Sequence, residues 1–160
     1  MKRSLDHNRF MARAISLSID HVKQGEGGPF GAVIVKDNDI IAEGVNLVTQ
    51  TNDPTAHAEI VAIRAACSKL NDFQLTGCTL YTSCEPCPMC LGAIYWARLE
   101  TIFFGNTKID AAYIGFDDSF IYKELKLTLE YRSIPMIQLM RDEAQEAFIL
   151  WCSSYKKIPY

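Results

Sequence analysis

The chain has no excess of positive charge. Its 160 residues include 16 Lys and Arg against 19 Asp and Glu, which gives a formal net charge of −3. A protein that binds a long nucleic acid usually carries a basic excess, because each neutralised phosphate adds affinity through counterion release. We therefore expect a small-molecule substrate and no long nucleic-acid partner.

Long apolar runs are also missing from the N-terminal region. Charged residues at Arg9, Arg13 and Asp20 interrupt it, so it predicts neither a signal peptide nor a membrane span. We expect a cytoplasmic protein without a membrane partner, whose six cysteines serve metal binding or the core rather than disulfides. No repeat, low-complexity tract or linker interrupts the sequence, which predicts one domain over residues 1–160.

Apolar periodicity predicts helices that alternate with strands. An apolar stripe from Phe10 to Val22 predicts a first helix that ends at the glycine-rich residues 25–28. Two Val- and Ile-rich runs joined at Asp37–Asn38 predict a β-hairpin, and Asp53–Pro54 predicts the start of a second helix. Further predicted elements are a strand over 78–83, a helix over 86–98, a strand over 101–105 and a C-terminal helix with apolar residues between 144 and 155. This order is typical of an α/β fold with a mixed sheet covered by helices.

Two short segments carry side chains that suit a metal ion. His57-Ala58-Glu59 and the run Pro86–Cys90 each lie at the predicted beginning of a helix. Cysteines at positions i and i+3 share one side of a helix, so Cys87 and Cys90 can bind the same ion. Together with His57 they supply three ligands and leave a fourth position for water, which is the arrangement of a catalytic zinc site. We predict one zinc ion per chain.

The carboxylate of Glu59 has a different predicted role. It is too close in sequence to His57 to be a comfortable ligand, but it can lie beside the bound water and carry a proton to the substrate. H-x-E followed by P-C-x-x-C is the pattern of zinc deaminases, in which the Glu is a proton carrier. A redox pair or a purely structural zinc site would leave Glu59 unexplained. Cys84 forms a second C-x-x-C pair with Cys87 and stays an alternative ligand.

Longer segments resemble a known family. GGPFGAVIVKD, NDPTAHAEIVAIR and LYTSCEPCPMCLGAIYWAR resemble the cytidine-deaminase-like superfamily, and GFDDSFIYKE with the terminal KKIPY is similar to its small bacterial guanine deaminases. The resemblance implies a three-layer α/β/α sandwich around a mixed five-stranded sheet. It also implies a zinc-dependent hydrolase that converts guanine to xanthine and ammonia.

The same resemblance implies roles for individual residues. The implied zinc ligands are His57, Cys87 and Cys90, the proton carriers are Glu59 and Asp118, and the substrate-binding residues are Asn46, Phe30, Trp96 and Tyr160. It further implies a homodimer in which the C-terminal segment, about residues 140–160, swaps between subunits so that Tyr160 closes the other subunit's site. Structural alternatives stay open, since Asn46 can form a turn and Asp118 can cap a helix that begins at Ser119.

Other functions also stay open at this stage. A guanosine or other nucleoside deaminase needs room for a ribose, which a sequence does not measure, and a tRNA adenosine deaminase shares the two zinc-binding segments. Outside the enzymes, a structural zinc-binding module is the alternative, and the presence of Glu59 counts against it.

Overall fold

The computed structural model describes residues 6–160, which divide into two compact units, one that ends at Asp118 and one that comprises Ser119–Tyr160. The elements of the first unit are α1 (His7–Lys23), β1 (Gly31–Lys36), β2 (Asp39–Val45), α2 (Val48–Thr51), α3 (Ala58–Leu70), β3 (Cys78–Cys84), α4 (Pro88–Trp96), β4 (Thr101–Asn106) and α5 (Lys108–Tyr113). The second unit contains α6 (Ser119–Lys126), a 3₁₀ turn (Leu129–Tyr131) and α7 (Arg141–Ser153). Among the described residues, none of the helices combines the length and apolar character needed to cross a membrane. The organisation into a single domain stays a prediction.

The sheet is mixed, with the strand order β2-β1-β3-β4. Strand β1 runs antiparallel to both β2 and β3, whereas β3 and β4 run parallel. The predicted hairpin is confirmed: β1 and β2 are joined at Asp37 and Asn38, whose φ angles of 51° and 73° both lie in the left-handed region. Positive φ at both central residues is typical of the type I′ turns that match the twist of a hairpin.

Helices cover both faces of this sheet, as the α/β/α prediction required. On one face, Val33, Val35 and Tyr81 pack against Phe10 and Ala14 of α1. On the other face, alternate residues of the same strands contact apolar side chains of α3 and α4; they include Ala32, Ile34, Leu80, Ala62, Ile63 and Ile94. Successive side chains of a strand point to opposite faces, so β1 and β3 supply both cores.

Two details of the prediction were wrong. The first is the number of strands, which is four within the described residues rather than five. The apolar segment that follows Ser133 does not add a strand, because it is irregular and contains Pro135, which has no N–H group to donate to a strand ladder. The second helix begins at Ala58 and not at Asp53, because the Asp53 carboxylate accepts hydrogen bonds from the Thr55 backbone N–H and hydroxyl. Such local bonds favour a turn over a helix.

The topology brings several chain segments to one edge of the sheet. Parallel pairing places the carboxyl ends of β3 and β4 side by side, at Cys84 and Asn106. Because β1 is antiparallel to β3, its first residue lies at the same edge, where the Gly31 N–H donates to Ser83 Oγ at 3.0 Å. The end of β2 joins them, since Val45 pairs with Gly31. In open α/β sheets, ligands bind at the carboxyl ends of strands.

Candidate functional site

Two helix N-termini supply the predicted metal ligands. His57 is the N-cap residue of α3, and Cys87 is the N-cap residue of α4, each with an extended backbone. Cys87 is held out of the helix by Pro88, because the residue before a proline avoids the α conformation. Cys90 follows in the first turn of α4 and is fully buried. Both helix dipoles therefore present their positive ends to this region, which favours thiolates.

The three ligand atoms lie at distances that fit a zinc ion. The Nδ1 atom of His57 is 3.6 Å from the sulfur of Cys87 and 3.5 Å from that of Cys90. All three atoms lie within 4.8 Å of one another. A tetrahedral ion with Zn–S about 2.3 Å and Zn–N about 2.1 Å requires an S···N separation of about 3.6 Å. The donor set of one imidazole and two thiols is also one that zinc prefers, so these residues fit the metal.

The two cysteine thiols shift each other's pKa in opposite directions. The Cys90 thiol donates to the sulfur of Cys87 and lowers the pKa of Cys87 to about 4, with a further contribution from His57. The same hydrogen bond, together with burial, raises the pKa of Cys90. The Cys87 thiolate in turn raises the pKa of His57. A thiolate therefore already exists in the site near neutral pH, as metal binding requires.

Glu59 lies beside these ligands and is 6% exposed. Burial is the largest cause that raises the pKa of its carboxyl group, and the Cys87 thiolate adds to it. Its own backbone N–H and the Cys90 thiol act in the opposite direction. Glu59 is the second residue of α3, so its carboxylate faces the same helix N-terminus as the metal ligands. A buried carboxyl group with a raised pKa is suited to accept and return a proton.

Asn46 follows β2 and is buried at the edge of the sheet. Its backbone N–H donates to the Phe30 carbonyl at 3.3 Å, and its side-chain Oδ1 accepts from the Val48 N–H at 3.3 Å. This contact between residues i and i+2 is an Asx turn, as the turn-forming alternative expects, and it also fixes the orientation of the amide group.

A pocket of about 300 Å³ opens at the same edge of the sheet. This volume lies at the lower end of the range for small-molecule sites. Its lining combines aromatic and aliphatic side chains with a few polar groups, and consists of Pro29, Phe30, Cys84, Asn106, Asp110, Ala111, Tyr113 and Ile114. Phe30 is one of these lining residues, and its contact with a substrate stays a prediction.

Cys84 lies in the wall of this pocket and outside the cluster of metal ligands. Its thiol donates to the Thr107 carbonyl at 3.7 Å. Burial, with the nearby carboxyl groups of Glu59 and Asp118, raises the pKa of Cys84 to about 11. Its sulfur is not one of the three ligand atoms that cluster at His57, Cys87 and Cys90. The geometry therefore favours Cys87 and Cys90 over the alternative that includes Cys84.

Asp118 closes the first unit and is half-buried. Burial raises the pKa of its carboxyl group, and the negative charge of Cys87 raises it further. The preceding loop is anchored by Phe116, whose ring meets the Phe30 ring edge-to-face with centroids 4.9 Å apart. The chain thus holds a second carboxyl group close enough to the metal ligands for their charges to interact.

The two remaining predicted residues are both exposed. Trp96 ends α4 and is 66% exposed, and it is not a lining residue of the pocket. Tyr160 belongs to the second unit and is 70% exposed. Asn106 and Ile114 were not predicted as pocket residues. For Asn106 the available signal was its position directly after the strand predicted over 101–105.

Comparison with known proteins identifies the family. The model of the cytidine and deoxycytidylate deaminase zinc-binding region matches residues 4–106. The chain belongs to this zinc-binding deaminase family. The prediction of a zinc-dependent deaminase with a cytidine-deaminase-like fold is confirmed, and so is zinc as the cofactor.

Individual relatives narrow the similarity within the deaminase family. The chain is 55% identical to a guanine deaminase of Bacillus subtilis over 98% of its own length and 100% of that protein. The X-ray structure of a guanine deaminase from Bacillus subtilis superposes with a TM-score of 0.94, at 98% and 99% coverage of the two chains. A guanine deaminase structure from Nitrosomonas europaea is 32% identical, with a TM-score of 0.67 over 72% of this chain and 66% of that one. A tRNA-specific adenosine deaminase of Aquifex aeolicus is 49% identical, over 48% of this chain and 50% of that protein.

Proposed function

We propose that this chain is a guanine deaminase that hydrolyses guanine to xanthine and ammonia. The observation that carries the proposal is the 55% identity to the Bacillus subtilis enzyme across 98% of this chain. A match of that length includes residues beyond the zinc centre, and its identity is higher than the 39% that a tRNA-specific adenosine deaminase of Haemophilus influenzae shows over 79% of this chain. We also propose a cytoplasmic location, because zinc binding through Cys87 and Cys90 requires reduced thiols.

The first proton transfers are assigned to Glu59. His57, Cys87 and Cys90 would hold one zinc ion, which lowers the pKa of a coordinated water towards about 7 and so supplies a nucleophile at neutral pH. Glu59 accepts a proton from the water that adds to C2 of guanine, and delivers it to ring N3. Its burial removes competing water and holds the carboxyl group at one position beside the ligands.

A second proton must reach a different atom. The C2–N bond breaks when the 2-amino group takes the second proton of the added water and leaves as ammonia, while the C2–OH group that loses this proton becomes the C2 carbonyl of xanthine. One carboxyl group need not reach both N3 and this nitrogen. Asp118 is the candidate for this transfer, because its charge interacts with that of Cys87 and burial raises its pKa.

Asp118→Asn tests the second proton transfer. We expect turnover of guanine to fall by about a hundredfold, the lower end of what a proton-transferring side chain contributes, while zinc content stays at one ion per chain. Steady-state kinetics with metal analysis measures both quantities. The neighbouring Asp117→Asn variant is the matched control, since it removes the same charge one residue away. Equal turnover in Asp118→Asn and the wild type would remove Asp118 from the chemistry.

The substrate side of the site rests on Asn46 and Phe30. The contact with Val48 uses the side-chain oxygen of Asn46 as acceptor and leaves its amide N–H groups to donate to an acceptor on the purine. Phe30 supplies an apolar ring in the pocket wall, which suits the flat face of a base. We propose two further substrate contacts, Trp96 and Tyr160. Tyr160 would come from the other chain of a dimer.

Ammonia release tests the substrate directly. The zinc-loaded protein is assayed with guanine, guanosine, adenine, cytosine, cytidine and a tRNA anticodon stem-loop. Turnover of guanine above all others supports the proposal. A preference for guanosine or for the stem-loop would keep the deaminase chemistry and overturn the substrate. Zinc binding without turnover of any member would favour the structural zinc module.

We further propose a homodimer with an exchanged C-terminal segment. None of the described residues 119–160 is buried, although many are large and apolar; on α7 and after it these include Phe148, Ile149, Leu150, Trp151, Tyr155, Ile158 and Tyr160. A segment of this composition needs a surface to cover it. The edge strand β4 and the exposed residues Tyr95 and Trp96 of α4 offer such a surface on a second copy of the chain.

Mixing two inactive variants tests the exchange. One chain carries Glu59→Gln with an intact tail, and the other keeps Glu59 but ends at Ser154. In an exchanged dimer the mixed species has one complete site, so activity returns after the two chains are unfolded and refolded together. Light scattering should give about twice the 18.0 kDa chain mass. A mixture that stays inactive, or a monomeric mass, contradicts the exchange.

A further inference from the structure

A buried histidine contacts Asn46, the residue proposed to bind the substrate. His21 belongs to α1 and is 3% exposed. Its Nε2 atom is 2.7 Å from the backbone carbonyl oxygen of Asn46. A carbonyl oxygen can only accept a hydrogen bond, so Nε2 must carry a proton and act as the donor. The imidazole thereby joins the first helix to the end of β2.

This contact completes the fixation of Asn46. The backbone N–H of Asn46 is tied to Phe30, its side-chain oxygen to Val48 and its backbone carbonyl to His21. Three of its polar groups are therefore anchored. The amide nitrogen remains, and its direction follows from the other three contacts.

The glycine-rich loop packs against the same imidazole. A Cβ atom on Gly27 would lie 2.6 Å from His21 Nε2 and 2.7 Å from the Asn46 carbonyl oxygen. Only glycine allows the loop to approach so closely. Next to it, a carboxylate oxygen of Glu26 lies 3.6 Å from the other ring nitrogen of His21. The loop that leads into Phe30 and the strand end that precedes Asn46 therefore both pack against the buried side chain of His21.

We propose that His21 is a positioning residue for purine recognition. His21 does not contact the substrate. It holds the Asn46 backbone so that the Asn46 amide nitrogen points at the purine, and it fixes the position of the loop that leads into Phe30. This inference rests on the proposed function, in which Asn46 and Phe30 contact the base. Removing the Nε2 donor should therefore weaken the binding of the base more than it slows the chemical step.

Three variants separate positioning from a structural role. His21→Leu removes the donor and keeps an apolar side chain of similar size, whereas His21→Gln can place an amide N–H near the Nε2 position. Phe10→Leu, in the core on the same helix, is the control for a loss of stability alone. For His21→Leu we expect KM for guanine to rise about tenfold with kcat changed much less. His21→Gln should restore most of the loss, and Phe10→Leu should lower Tm without raising KM.

A double-mutant cycle with Asn46→Ala shows whether the effect passes through this side chain. If it does, His21→Leu adds little to the KM of Asn46→Ala. A KM for His21→Leu that matches Phe10→Leu, a His21→Gln variant as impaired as His21→Leu, or full additivity in the cycle would each overturn the positioning role. The variants are compared on whichever base or nucleoside the wild type prefers. Failure of guanine as substrate then counts against the proposed function alone, since the KM comparison still tests His21.

Discussion

Glu59→Gln is expected to fold, to bind zinc and to lose guanine deamination by about a thousandfold, within the range that a proton-transferring side chain contributes. The amide has nearly the shape of the carboxyl group but cannot accept a proton from water. Because burial raises the pKa of Glu59, its carboxylate carries a desolvation cost in the fold that an uncharged glutamine of nearly the same shape avoids. Tm should therefore stay constant or rise. Steady-state kinetics, metal analysis and thermal unfolding together measure the three outcomes.

The zinc content of Glu59→Gln decides how its activity loss is interpreted. A normal zinc content with lost turnover assigns the defect to proton transfer. Glu59→Asp serves as a graded variant, because it keeps the carboxyl group and shortens its reach by one methylene; it should retain more activity than Glu59→Gln. A Glu59→Gln variant that deaminates guanine at the wild-type rate would show that Glu59 is not the proton carrier.

The zinc centre could be predicted from the sequence because its chemistry is local. Cys87 and Cys90 lie one helical turn apart, so their common orientation follows from helix geometry alone. His57 and Glu59 occupy the start of another helix, and an open ligand position follows from counting donors. The hairpin at Asp37 and Asn38 was predictable for the same reason, since a turn depends on a few adjacent residues.

The features that the sequence did not predict depend on distant contacts. Helix α3 begins at Ala58 and not at the predicted Asp53, because Asp53 accepts hydrogen bonds from Thr55 and does not cap a helix. The pocket joins residues that are far apart in the sequence, such as Phe30 and Ile114, and no periodic pattern connects them. No motif in the sequence includes His21, which lies on α1. Its partner Asn46 is 25 residues away, so only the packing of α1 on the sheet revealed what satisfies it.

Cys90→Ala is expected to abolish both zinc binding and deamination. It leaves only His57 and Cys87, and the loss of a direct ligand should exceed the about 10- to 100-fold loss of metal affinity that follows from removing an outer partner of a ligand. We therefore expect zinc to bind more than about a hundredfold more weakly, and activity to fall to that of the metal-free protein. Competition with a chromogenic chelator measures the affinity, and ammonia release measures the activity.

Cys78→Ala separates the loss of a ligand from the loss of a buried thiol. Cys78 and Cys90 are both fully buried, but Cys78 begins β3, at the end of the strand away from the site. The Cys78→Ala variant should therefore lose some stability while it keeps zinc and activity.

Cys84→Ala tests the alternative ligand by zinc affinity alone. Because the Cys84 thiol donates to the Thr107 carbonyl and lies outside the cluster of His57, Cys87 and Cys90, its removal should leave zinc affinity within about threefold of the wild type, since it takes away no ligand. A large loss of zinc in Cys84→Ala, with zinc retained in Cys90→Ala, would transfer the second thiolate ligand to Cys84.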